Sequence, residues 1–237
     1  MVMDRQSNKI NKKVLEINWE AEQAEKGGYD HFMLKEIHEQ PKALRDTFGG
    51  RIAPDNSMVT LDELKITPEE IRGLKKIFIT ACGTAYHAGV VGKYVIEKLV
   101  RLPVEVDIAS EFRYRQPIIE PGTLVIIVSQ SGETADTLAA LREARRHGAH
   151  VIAVTNVVGS SVTREADDVI YTWAGPEIAV ASTKAYTTQL ASMYLVALHL
   201  AAVRGTIAPA ELGVILSEMR KLDAKARLLL DNSKEII

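Results

Sequence analysis

The sequence has almost no sulfur to cross-link it and no long apolar run. Cys82 is the single cysteine among 237 residues. That excludes an internal disulfide and fits a reducing compartment, so a cytoplasmic protein is expected. No uninterrupted apolar stretch reaches the roughly 18 residues of a membrane span. The first residues, Met1-Val2-Met3-Asp4-Arg5-Gln6, lack the apolar core of a signal peptide. Neither sign of charge dominates: Lys plus Arg is 29 and Asp plus Glu is 31, for a net charge of −2. That balance argues against a general binder of nucleic acid or of an anionic membrane surface. No G-x-x-x-x-G-K-[ST] loop occurs, and the turn Cys82-Gly83-Thr84-Ala85-Tyr86-His87 is not a G-x-G-x-x-G fingerprint. Dinucleotide redox chemistry is therefore not expected, nor is any cofactor. The histidines, His31, His38, His87, His147, His150 and His199, have no metal-ligand spacing with Cys or Asp, so no metal is expected.

What is present is an ordinary globular composition, 46% hydrophobic and 25% charged, which excludes a disordered tail, a collagen-like fibre and a coiled coil. Residues 1–30 read as a polar arm or linker, with Trp19 and Tyr29 as docking anchors. The rest, 31–237, reads as a single domain. His31 to Phe48 is helical, with Met33, Ile37, Leu44 and Phe48 on one stripe and a kink or restart at Pro41. Thr67-Pro68-Glu69-Glu70 is a helix start with a Thr cap and Glu three residues on. Strands are expected at Ile77–Ile79, Val104–Ile108, Leu124–Val128, Val151–Val154 and Val169–Tyr171. Helices are expected at Thr84–Arg101 and Thr134–His147. The alternation predicts an α/β fold: a doubly wound, mainly five-stranded parallel sheet with helices on both faces. A long helix from Ser182 to Arg204 is apolar nearly all round, so it should be buried on several sides. A second helix runs from about Pro209 towards the end. The chain ends on Ile236-Ile237 inside a helical pattern, which suggests that the natural protein continues.

Ligands of an open parallel sheet bind at the carboxyl ends of its strands. Three turns there are rich in hydroxyls: Cys82-Gly83-Thr84, Ser129-Gln130-Ser131-Gly132-Glu133-Thr134 and Ala179-Val180-Ala181-Ser182-Thr183-Lys184. In the second, a buried strand runs into a helix N-terminus, whose free N–H groups favour an anion. Ser129, Ser131 and Thr134 add donors, and Gly132 permits close approach. That chemistry suits a phosphate monoester held without a fixed cation. The competing reading is a cluster of helix caps. Glu133 is expected to point away from an anion or to stabilise the first helical turn. Cys82 reads as small core packing, although a reactive thiol at a helix start is the alternative. His147 and His150 read as surface residues. Lys184 either approaches a bound anion or faces solvent. Arg142, Arg145 and Arg146 suit the last turn of a helix.

The three turns together, with Val180-Ala181-Ser182-Thr183-Lys184-Ala185-Tyr186-Thr187, resemble the sugar isomerase (SIS) fold. With the segment Glu25 to Pro41, they resemble more narrowly the first isomerase domain of the isomerising glutamine–fructose-6-phosphate aminotransferase family. The resemblance runs from about Val14 to the end. It implies an enzyme that takes ammonia from glutamine in a glutaminase domain and passes it to fructose 6-phosphate. The product is isomerised to glucosamine 6-phosphate, and two SIS domains form that half. By the same resemblance, Ser129, Gln130, Ser131 and Thr134 hold the sugar phosphate, and Thr84, Val180 and Ser182 line the sugar. Many relatives have Ser where this chain has Ala85. The family's glutaminase nucleophile is an N-terminal Cys, and its proton-transfer carboxylate, imine-forming Lys and ring-opening His lie in the second SIS domain or the tail. This chain is therefore expected to bind fructose 6-phosphate or glucosamine 6-phosphate without catalysis. The implied partners are the second SIS domain and the glutaminase domain, or a second copy forming a homodimer. The alternatives are a non-enzymatic SIS sensor and a stand-alone isomerase, for which Glu177 and His87 are the nearby candidate residues.

Overall fold

Strand β3 (Lys76–Ala81) starts the central sheet, and β4 (Val104–Ile108), β5 (Thr123–Ser129), β6 (His150–Thr155) and β7 (Asp168–Tyr171) complete it. All neighbours are parallel, in the order β4-β3-β5-β6-β7. The computed structural model describes residues 25–233 and the backbone of β1 (Val2–Met3) and β2 (Lys9–Ile10), which pair antiparallel. Val14, Ile17 and Trp19 of the arm lie outside the described residues.

The expected five-stranded parallel sheet is what forms. β5 is central and buried at all seven positions, as its unbroken apolar run requires. β4 lies at an edge, where Glu105 meets Lys76 at 2.6 Å and Asp107 meets Arg115 at 2.5 Å. The chain leaves β3 in one direction to β4 and returns on the other side to β5. The order therefore reverses between β3 and β5, which opens a crevice at their carboxyl ends.

Two cores flank the sheet. Ile77, Ile79, Leu124, Ile126, Ile152 and Val154 face α3 (Thr84–Val100), α7 (Lys184–Arg204) and α1 (Phe32–Phe48). Phe78, Val125, Ile127, Val151 and Ala153 face α4 (Ala109–Tyr114), α5 (Ala135–Arg146) and α6 (Ser161–Glu165). Alternate residues of β3, β5 and β6 feed opposite cores, as the pleat dictates. At Gly89 of α3, a Cβ would lie 2.8 Å from Ile79 Cγ2, so only Gly lets this helix sit so close to the sheet. The helix α2 (Pro68–Gly73) begins with the expected reciprocal cap. Glu70 N–H donates to Thr67 Oγ1 at 3.2 Å, and Thr67 N–H donates to Glu70 Oε2 at 2.7 Å.

Three expectations for the helices are corrected. Of the two outcomes expected at Pro41, a second helix does not form: α1 runs unbroken through it. Its missing N–H leaves the Ile37 carbonyl free, and Gln40 Nε2 donates to that oxygen at 3.1 Å. The apolar stripe of α1 is incomplete: Leu44 and Phe48 are buried, but Met33 is exposed while Lys35 and Glu36 are buried. The C-terminal segment is two helices, α8 (Pro209–Met219) and α9 (Leu222–Asp231). The break follows Arg220, which reaches back to the Ile52 and Ala53 carbonyls at 2.8 Å each, while α9 lies against α1. The long helix α7 is buried by the sheet, α3, α1 and α2, yet Leu190 and Tyr194 line an apolar groove with α8 and α9. No helix of the described residues is long and apolar enough to cross a membrane.

Candidate functional site

A cavity of about 250 Å³ opens at the crevice between the ends of β3 and β5. It gathers all seven residues singled out as ligand contacts: Thr84, Ser129, Gln130, Ser131, Thr134, Val180 and Ser182. They come from three separate stretches of chain. Thr84 opens α3 directly after β3. There Gly83 has φ +59° and ψ −136°, a backbone that glycine adopts freely.

The second turn is held by its own short-range bonds. Ser129, the buried last residue of β5, accepts from Gly132 N–H at 3.1 Å, and Ser131 accepts from Glu133 N–H at 3.2 Å. The cap reading and the anion reading are thus compatible. A hydroxyl that accepts from the backbone still has its own proton to donate. Thr134 is the N-cap residue of α5, and its side chain makes no cap bond, which leaves its hydroxyl for other use. Gly132 has φ +64°, and a Cβ there would lie 2.1 Å from Ser160 Oγ. Its carbonyl accepts from Val162 N–H at 3.0 Å, tying the turn to α6. Glu133 does point away: its Oε1 accepts from Ser161 N–H at 2.7 Å. Hydrogen bonding from Ser161, by side chain and backbone, holds the Glu133 carboxyl below the usual carboxylate range.

The third stretch is held from elsewhere. Glu36 on α1 accepts from Ile178 N–H at 2.6 Å and Ala179 N–H at 3.1 Å through Oε1. Glu177 accepts from Thr183 N–H at 2.9 Å and Ala185 N–H at 3.0 Å, and from Ser182 Oγ at 3.1 Å. Lys184 is buried and paired with Glu39 at 2.6 Å, so it neither faces solvent nor reaches the cavity. Thr187 Oγ1 donates to Gln40 Oε1 at 2.6 Å, and Thr47 Oγ1 donates to the Thr172 carbonyl at 2.6 Å. The helix α7 accordingly begins at Lys184, two residues later than expected, because Glu177 ties up Ser182 and Thr183.

Asn156, just past β6, joins the two sides. Its N–H donates to the Gln130 carbonyl at 3.1 Å, its Nδ2 donates to the Gly175 carbonyl at 2.7 Å, and its Oδ1 accepts from Ala174 N–H at 2.9 Å. Sequence reasoning passed over it, although a polar residue at the carboxyl end of a buried strand was the available signal. It also passed over Thr137 and Gln189, which line the cavity and are buried. Glu36 carried no signal at all, because a Lys-Glu step on a helix reads as a solvated face.

The described residues that line the cavity include no Lys, Arg or His. Glu177 is the one charged side chain there, and its oxygens are occupied by the loop. Cys82 lines the cavity half-buried. His87 is exposed and does not line it. His147 is exposed as expected, but His150 is not a free surface residue. Its Nε2 lies 2.7 Å from Asp168 Oδ2, a fully buried carboxylate that also accepts from Lys65 and Ile66 N–H. Parallel pairing of β6 and β7 brings the two together at the opposite end of the sheet. Among the described residues, no group of three His, Cys, Asp or Glu is placed to hold a metal ion. The site can therefore offer hydroxyl and backbone donors to an anion, with neutral polar groups beside them.

The SIS domain family model matches residues 70–199, and the chain belongs to that family. The most informative relatives are glutamine–fructose-6-phosphate aminotransferases of the isomerising type. The one from Caldanaerobacter subterraneus subsp. tengcongensis is 63% identical over 97% of this chain. The one from Methanosarcina mazei is 47% identical over 100% of it. The chain spans 37% and 38% of the length of these two relatives. Among solved structures, the C-terminal domain of glucosamine-fructose-6-phosphate aminotransferase from Francisella tularensis superimposes with a TM-score of 0.80. It is 41% identical, with 84% of this chain and 56% of that one covered.

Proposed function

We propose that this chain is the first SIS domain of an isomerising glutamine–fructose-6-phosphate aminotransferase, a single unit over 31–237 that binds the sugar phosphate. The observation that carries the reading is the cavity at the β3–β5 crevice, lined by hydroxyls and devoid of cations. Ser129, Gln130, Ser131 and Thr134 take the phosphate at the α5 N-terminus, where unpaired N–H groups and the helix dipole favour an anion. Thr84, Val180 and Ser182 contact the sugar. Ser182 donates to Glu177, so its lone pairs remain to accept from a sugar hydroxyl. Glu177 has both carboxylate oxygens taken up by donors of the loop, which supports binding without turnover by this chain. The proton-transfer groups belong to a second SIS domain, and ammonia comes from a glutaminase domain, in a cytoplasmic enzyme of amino sugar synthesis.

The groove at Leu190 and Tyr194 supports a protein partner: in the longer enzyme the second SIS domain, and for the chain alone a second copy. Val214 and Leu229 beside it are about two-thirds exposed, more apolar surface than a solitary chain needs. Sedimentation should give a dimer for the isolated chain.

Calorimetric titration tests the reading. Fructose 6-phosphate should bind, fructose and inorganic phosphate should each bind far more weakly, and no glucosamine 6-phosphate should form when ammonia is supplied. Turnover by this chain, or equal binding of fructose with and without phosphate, would overturn it.

A further inference from the structure

Gln189 lies in the second turn of α7, is 2% exposed, and lines the same cavity as the hydroxyl turns. Its Oε1 is buried without a hydrogen-bond partner. Six buried side-chain atoms among the described residues are unpaired in this way, and Gln189 is the only one of their residues that lines the cavity. A buried amide oxygen with no donor is costly, so natural folds rarely keep one. On the facing helix α3, Ala85 also lines the cavity and offers only a methyl group. The donor that Gln189 lacks is therefore not supplied from that side.

We propose that Gln189 is a specificity-determining contact for the sugar part of the ligand. Its carboxamide accepts a hydrogen bond from a hydroxyl of the sugar phosphate. The unpaired atom is an acceptor, and a phosphate dianion carries only acceptors, so the phosphate does not satisfy it. A polyol chain does, because each hydroxyl donates and accepts. Gln189 also stands on α7, the helix that follows Ser182, and not on the β5–α5 turn. The inference rests on the sugar-phosphate reading above and adds the group that distinguishes a sugar phosphate from phosphate alone.

The test is Gln189→Met, an apolar side chain of similar length, titrated with fructose 6-phosphate and with inorganic phosphate. Fructose 6-phosphate affinity should fall about tenfold, the worth of one hydrogen bond to a buried amide. Phosphate affinity should stay unchanged. The melting temperature of the unliganded chain should hold or rise, since an unpaired buried amide is removed. That opposition of stability and affinity separates a ligand contact from a structural residue, whose loss lowers both. Gln189→Glu keeps the shape and adds a negative charge to the cavity that also takes the dianion, so it should weaken fructose 6-phosphate more than Met does. Unchanged fructose 6-phosphate affinity in Gln189→Met would overturn the inference while leaving the sugar-phosphate reading intact. Failure of the unaltered chain to bind fructose 6-phosphate would overturn both.

Discussion

The turn from Ser129 to Thr134 and the loop from Trp173 to Thr183 both line one cavity, and the support each needs comes from different distances along the chain. Within the turn, Gly132 N–H donates to Ser129 and Glu133 N–H to Ser131, bonds spanning three and two residues, and the next strand and helix add Asn156 N–H to the Gln130 carbonyl, Val162 N–H to the Gly132 carbonyl and Ser161 N–H to Glu133. The loop is ordered by helix α1, with Glu36 bonding Ile178 and Ala179 across 142 and 143 positions of sequence. Local order writes itself into a short motif. Remote order leaves each participating segment looking unremarkable by itself. The turn thus depends on its own residues and on the β6–α6 segment that follows it, whereas the loop, besides its Glu177 bonds to Ser182, Thr183 and Ala185, depends on α1 far back in the sequence.

The largest effect should come from cutting the remote support. Glu36→Ala strips the Ile178 and Ala179 N–H groups of the carboxylate that accepts from both in part-buried bonds, which should cost roughly 3 kcal/mol of stability. Denaturant unfolding measures it, and fructose 6-phosphate affinity should fall as Val180 and Ser182 lose their place. A cost under about 1 kcal/mol would mean that the loop orders itself. Next is Gly132→Ala in the other wall. The positive φ and the clash with Ser160 should together cost about 2 kcal/mol, with phosphate affinity lost. Preserved phosphate affinity in that variant would show that the turn tolerates distortion and break the contrast.

Most of the fold was legible because its signals are local. The apolar run of β5, the capping box at Thr67 and the glycines just after α1 and α5, Gly49 and Gly148, all speak within a few residues. The hydroxyl turns were legible for the same reason. The true surroundings of Lys184 and His150 were not, since Glu39 and Asp168 reach them through tertiary packing. Pro41 misled because the Gln40 side chain supplies the donor that the proline lacks. Gln189 hid in the first turns of α7 beside Thr187, Thr188 and Ser192, where one more polar residue raises no alarm.

A smaller effect lies outside both walls, where α8 meets α9. Hydrogen bonds from Lys221 and Lys225 lower the Glu218 carboxyl to about 2 from an ordinary 4.5. A carboxyl lowered in the folded state contributes stability that is present above the unfolded value and is lost as pH falls towards the folded one. The stability difference between the unaltered chain and Glu218→Gln should therefore be constant above pH 4.5 and vanish by about pH 2. Because the three side chains are about half exposed, the difference should also shrink with added salt. Ligand affinity should not change, which makes the variant a control for the two wall variants.

The central claim is that one wall reads phosphate and the other reads sugar, and a pair of single substitutions tests it most directly. Ser131→Ala and Ser182→Ala are each titrated with fructose 6-phosphate and with inorganic phosphate. Ser131→Ala should weaken both ligands by a similar factor, corresponding to roughly 1.5–3 kcal/mol for a hydrogen bond to a charged group. Ser182→Ala should weaken fructose 6-phosphate alone. Equal losses for both ligands in both variants would contradict the division of labour between the walls, and unchanged phosphate binding in Ser131→Ala would contradict the phosphate site itself.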